Sequence, residues 1–118
     1  MPEVNKPMTE TTSRDLFPGA LEMMILESLR RQPSHGYALV QQIQQRSKNL
    51  LQVEEGSLYP ALQRMLLKGW VTAEWGVTAG NRRARYYQLT TAGRKQLHTE
   101  MAQYERVSGA IQKILQRA

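Results

Sequence analysis

Residues 56–69, GSLYPALQRMLLKG, decide the fold. Read at a period of 3.6, Leu58, Leu62, Met65 and Leu66 fall on one stripe, while Ser57, Tyr59, Gln63 and Arg64 fall on other faces. That division describes a helix buried on one side and polar on the other. Pro60 has no N–H and fits best in a first turn, so the pattern predicts a start between Glu55 and Ser57, with Ser57 as the cap. Gly69 is the expected stop. Taken alone, the stretch is an ordinary amphipathic core helix with a solvated outer face. The segments on either side suggest a use for that face.

Upstream, Met1 to Ser13 holds two prolines, three threonines and little to bury, and reads as a flexible arm able to touch DNA or a partner subunit. Asp15 and Pro18 are start signals for a first helix in which Leu21, Met24, Ile25, Ser28 and Leu29 recur at helical spacing, ending near Gln32 before Pro33. Ser34 is the expected cap of a second helix, about 35–47, with Leu39, Val40 and Ile43 inward. Its outer face, Gln41, Gln42, Gln44, Gln45 and Arg46, lacks acids and suits phosphate or base contacts. Leu50, Leu51 and Val53 form an apolar connector with the composition of a short strand.

Downstream of Gly69 the period changes to two. Trp70, Thr72 and Glu74 alternate with Val71, Ala73 and Trp75, and later Arg85, Tyr87 and Leu89 alternate with Tyr86 and Gln88. The spacing predicts a hairpin joined by residues 76–84, with Gly80 and Asn81 favouring the turn and Arg82 and Arg83 at or just after its tip. Bare arginines at the tip of a basic domain suit a phosphate backbone or a minor groove. Of the two tyrosines, one should be core and the other partly exposed.

Thr90 or Thr91 is the expected cap of a last helix running almost to Ala118, with a near-heptad stripe of Leu97, Met101, Tyr104, Val107, Ser108, Ile111, Ile114 and Leu115. Such a helix is roughly 35 to 40 Å long, more than so small a domain covers, so a second copy of the chain is the expected partner. Gly109 interrupts the stripe.

At 118 residues and 41% hydrophobic content, the chain makes one small domain. Sixteen Lys and Arg against ten Asp and Glu give a net charge of +6, favouring polyanionic partners. The charge is concentrated: Arg82, Arg83, Arg85, Arg94 and Lys95 occur between residues 82 and 95 without an acid. The absence of cysteine excludes disulfides, thiolate metal sites and a thiol nucleophile. No stretch is apolar enough to span a bilayer or serve as a signal peptide, so the expected location is the cytoplasm without a membrane partner. His35 and His98 are isolated, and no acid pair, phosphate loop or nucleophile motif is present, which argues against an enzyme, a metal site or a cofactor.

Three helices, a hairpin and a long helix describe a winged helix-turn-helix: mainly α with a small β-hairpin, plus a C-terminal dimerisation helix. The expected units are an arm at 1–14, a DNA-binding domain at 15–91 and a dimerisation helix at 92–118. The sequence also resembles the PadR transcriptional regulators, in its short subfamily with a single C-terminal helix. The matching residues are His35, Gly36 and Tyr37; Gly56, Ser57, Leu58, Tyr59, Pro60, Leu62, Arg64 and Gly69; and Gly80, Arg82, Arg83, Arg85, Tyr86, Tyr87, Leu89, Thr90 and Gly93. They span about residues 21–114.

The resemblance implies a homodimeric regulator, by family habit a repressor, on a pseudo-palindromic operator in double-stranded DNA. It implies DNA contacts from Tyr37, Ser57, Tyr59, Pro60, Gln63 and Arg64, and from Arg82 and Arg83 in the wing, where Arg85 extends the basic run. It also implies a dimer seam in which the last helix packs on the partner's first: Leu21, Leu97, Met101, Tyr104, Val107, Ile111, Ile114 and Leu115. Some relatives of this size hold flat, apolar drugs between the two last helices on a tryptophan from each subunit. Here Tyr104 stands at that position, and Ser108 stands where the multidrug type has an acid, leaving an aromatic platform without the charge for cations. Met23, Met101, Tyr104 and Ser108 are thus the candidate pocket for an apolar or aromatic effector. The alternative is a winged-helix module that binds a protein or small molecule without strong DNA affinity.

Overall fold

The computed structural model describes residues 11–12 and 16–116. In chain order it contains β1 (Thr11–Thr12), α1 (Ala20–Arg31), β2 (Ser34–His35), α2 (Gly36–Arg46), β3 (Leu51–Gln52), α3 (Glu55–Leu67), β4 (Val71–Val77), β5 (Arg83–Leu89) and α4 (Thr91–Ile114). The class is the expected one, mainly α with a small antiparallel sheet, and α3 is the helix predicted over residues 56–69. Its buried residues are Leu58, Ala61, Leu62 and Met65, with Leu66 at the margin. Ala61 fills the side of the stripe that counting only large residues overlooked.

Helices α1, α2 and α3 enclose a core of Ile25, Leu26, Leu29, Leu39, Ile43, Leu58, Leu62 and Met65. The hairpin closes it with Val71, Tyr87 and Leu89, and α4 contributes Leu97. Strands β4 and β5 pair from Val71↔Leu89 to Val77↔Arg83. Tyr87 is therefore core, and Tyr86, on the opposite face, is half-buried.

Several boundaries differ from expectation, each for a local reason. Ser34 does not cap α2. It pairs with Tyr87 as a third strand on β5, and its hydroxyl donates to the Gln32 carbonyl (3.2 Å) and accepts from Gln42 Nε2 (2.9 Å). The cap is His35, whose Nδ1 accepts the Ala38 N–H at 3.2 Å. Ser57 is not a cap either, because α3 starts at Glu55 after Glu54. Pro60 thus sits beyond the first turn, on the exposed side, and offers no N–H to the Gly56 carbonyl.

The connector does form a strand, β3, and it pairs in parallel with Thr11–Thr12, so this part of the expected arm lies against the domain. Residues 1–10 and 13–15, with the rest of the arm and the Asp15 start signal, lie outside the described residues. The expected 76–84 loop shortens to 78–82, because Gly76↔Ala84 and Val77↔Arg83 continue the ladder. The turn closes through Asn81 N–H to the Thr78 carbonyl (2.9 Å) and Thr78 N–H to the Arg82 carbonyl (2.8 Å).

A compact joint fixes the departure of α4. The Thr90 hydroxyl accepts the Gly93 N–H (3.0 Å) and donates to the Gly69 carbonyl (2.7 Å), while the Thr90 N–H reaches the Trp70 carbonyl (3.0 Å). Gly69, at φ +76, adopts the left-handed turn that stops α3 and leads into β4. Gly93 is pressed against the Trp70 carbonyl.

Helix α4 begins at Thr91 and ends at Ile114, short of the expected end; residues 117–118 lie outside the described region. Its 24 residues extend about 36 Å. Of its apolar stripe only Leu97 is buried, whereas Met101, Tyr104, Val107, Ile111, Ile114 and Leu115 are exposed. Leu21 and Leu97, expected on the seam between subunits, pack in the core of their own chain.

Candidate nucleic-acid interface

The outer face of α3 carries Tyr59, Pro60, Gln63 and Arg64, all exposed, with Ser57 half-buried at one flank. Their surroundings differ. Tyr59 leans toward α2: a Cβ on Gly36 would come within 2.6 Å of its hydroxyl oxygen, so this packing needs a residue without a side chain at position 36. Although the residue as a whole is exposed, the partial desolvation of its phenol against α2 pushes the Tyr59 pKa up, and the Glu55 carboxylate one turn before it acts in the same direction. The group therefore stays protonated at neutral pH and is able to donate a hydrogen bond.

Arg64 lies at the flank opposite Tyr59, the same one as Ser57 seven residues earlier, and faces α1, where its guanidinium meets Glu22 Oε2 at 2.7 Å. The pair is exposed enough that it contributes at most about 1 kcal/mol, so it holds Arg64 loosely.

Wing and helices meet around a cleft of about 790 Å³, lined by Tyr37 and Gln41 of α2, Tyr59 of α3, Trp75 of β4, and Arg82, Arg83 and Arg85 of the wing. Among the described residues no acid lines it. Three arginines, the tyrosines Tyr37, Tyr59 and, at its floor, the buried Tyr87, and an indole on one concave surface match a polyanion that also presents apolar sugar and base surface. Tyr37, Tyr59, Arg82, Arg83 and Arg85 are thus brought together, while Ser57 and Arg64 lie outside the lining and Gln63 and Pro60 lie on the open face of α3.

Sequence reading overlooked Trp75 as a site residue. The available signal was register, since once β4 and β5 are aligned, Trp75 faces Arg85 with Val77↔Arg83 beyond it. The Arg83 guanidinium stands 4.8 Å from the Trp75 ring centroid.

The candidate effector residues divide between two hollows beside α4. Met23, Met101 and Tyr104 line one of about 380 Å³ facing α2. Met23, Tyr104 and Ser108 line another of about 770 Å³ with Phe17, Val107 and Ile111. Phe17 stacks on Tyr104 at 5.6 Å, a partner the sequence did not suggest. Among the described residues no group of three His, Asp or Glu side chains converges as a metal site would require, and no helix is long and apolar enough to cross a membrane.

Comparison with known proteins agrees with this geometry. Residues 25–99 match the model of the transcriptional regulator PadR-like family. A transcriptional regulator from Clostridium thermocellum superposes with a TM-score of 0.74 at 26% identity, over 80% of this chain and 92% of that one. A PadR family transcriptional regulator from Eggerthella lenta gives 0.71 at 30% identity, over 82% of each chain. A PadR-like transcriptional regulator from Bacillus cereus gives 0.71 at 27% identity, over 85% of this chain and 95% of that one. With a three-helix unit, a basic wing and a family match over most of its length, the chain belongs to the PadR-like family of transcriptional regulators, which are DNA-binding proteins and not enzymes.

Proposed function

We propose that this protein is a homodimeric repressor that grips a pseudo-palindromic operator with α3 and the wing, and releases it when an apolar or aromatic effector, or a stress signal, alters the dimer. The observation that carries the DNA contacts is the acid-free cleft in which Arg82, Arg83 and Arg85 face Tyr37 and Tyr59. In this reading the phenols and wing arginines hold the backbone, and Gln63, with Arg64 once it leaves Glu22, reads base edges. A weak exposed ion pair is readily exchanged for a phosphate or a guanine edge.

The exposed stripe from Met101 to Leu115 supports the dimer, because a monomer would leave it in water. The hollows on either side of Tyr104 border that stripe, so a ligand there would bear on the seam. A dimer seated on promoter DNA blocks access to it, which makes repression the simplest outcome.

A mobility-shift assay on the upstream region of the protein's own gene tests the reading. Arg82→Ala combined with Arg83→Ala should weaken binding about 10- to 100-fold, and each substitution, carried by both subunits of the dimer, should reduce the salt slope by about two units. Unchanged affinity in the double variant contradicts the wing contacts. No binding of any fragment below micromolar concentration favours the alternative of a module that recognises a protein or small molecule.

A further inference from the structure

We infer that Trp75 is a positioning residue: its indole holds the Arg83 guanidinium in place for a phosphate of the DNA backbone. The inference rests on the reading of Arg83 as a backbone contact and adds a residue which that reading does not use.

Trp75 lies on the face of the hairpin that supplies Val71, Tyr87 and Leu89 to the core, but two register steps beyond the last of these, where the core has ended. It is 63% exposed, so burial does not account for an indole at this position. The ladder sets Arg85 directly opposite and places Arg83, opposite Val77, two register steps further along the same face. The Arg83 guanidinium carbon is 4.8 Å from the ring centroid, within cation–π range. All three side chains border the acid-free cleft.

The consequence follows from the chemistry of arginine. A free arginine at a wing tip must lose considerable rotamer freedom before both of its parallel N–H groups can meet a phosphate. Contact with the face of an indole restricts the rotamers of the guanidinium beforehand and, because a π-face accepts no full hydrogen bond, leaves its N–H donors available to a phosphate. The indole also keeps its field: a π-face attracts the cation without neutralising it, unlike a carboxylate partner. The wing thus presents an arginine that is already ordered and still fully positive.

The test measures affinity of the full chain for a labelled duplex from its own upstream region. The variants are Trp75→Leu, Trp75→Phe, Arg83→Ala and the double variant Trp75→Leu with Arg83→Ala. All of these positions are exposed, and far-UV circular dichroism verifies the fold. Trp75→Leu should weaken binding about 2- to 5-fold for each wing engaged, in line with an exposed cation–π contact. Trp75→Phe, which keeps an aromatic face, should stay closer to the wild type. In the Arg83→Ala background, Trp75→Leu should add no further loss.

Wild-type affinity in Trp75→Leu overturns the inference, as does a loss that adds in full to that of Arg83→Ala. In both cases a loss on Arg83→Ala alone leaves the proposed wing contact standing. Unchanged affinity in Arg83→Ala removes the phosphate contact itself, and the role of Trp75 with it.

Discussion

Gly93→Ala should destabilise the protein by about 3 kcal/mol, the upper end of what overpacking costs. A Cβ at this position would sit 2.1 Å from the Trp70 carbonyl oxygen and 2.7 Å from a Leu89 methyl. The first of these is backbone, held by the N–H of Thr90, so it has no rotamer through which to yield. Relief would require α4 to lift from the end of the hairpin, exposing Leu97 and loosening the Thr90 cap. For a domain of this size, thermal unfolding should move down by about 10 °C or more, compared at fixed protein concentration. Gly109→Ala is the control on the same helix: among the described residues, nothing beyond its own turn of helix lies within 4 Å of an added Cβ, so it should be neutral or stabilise by about 0.5 to 1 kcal/mol. A loss at Gly109 would indicate that a partner helix crosses close to it.

Ile111→Asp should have the largest effect on assembly. Ile111 is half exposed in the single chain, so the substitution leaves the folded protomer intact. In a symmetric dimer the same seam is used twice, and each copy would bring an unpaired carboxylate into an apolar contact at a cost of several kcal/mol. Sedimentation at micromolar concentration should show the wild type at twice the 13.5 kDa of one chain and the variant at the single-chain mass. Operator affinity should fall by about 100-fold or more, because two half-sites would no longer be held by one linked molecule. Ile111→Asp protein that remains dimeric and binds normally would show that the stripe is not the seam.

What the sequence revealed and what it concealed follow from separation along the chain. Helix α3, the alternation of the hairpin and the Thr90 cap were legible because each is written within a few consecutive residues. Strand β2 was not: two residues carry no period, and the partner of Ser34 is Tyr87, over fifty positions away. The Glu22–Arg64 pair spans 42 positions and leaves no local trace. The stripe on α4 was legible as a stripe, but periodicity does not say where a helix leaves its own domain, so it was not readable that Leu97 packs in the core while the stripe from Met101 onward is exposed. Trp75 was visible as an alternating residue, but its place beside Arg83 depends on a register that became fixed only with the true length of the loop.

The central claim, that the basic wing and the outer face of α3 grip duplex DNA, is tested most directly by the salt dependence of binding. Affinity for the protein's own upstream duplex would be measured from low to moderate salt. Three wing arginines on each of two subunits predict binding that falls steeply, with log K against log salt sloping at about −5. A slope indistinguishable from zero, or no binding tighter than micromolar even at low salt, would contradict the account.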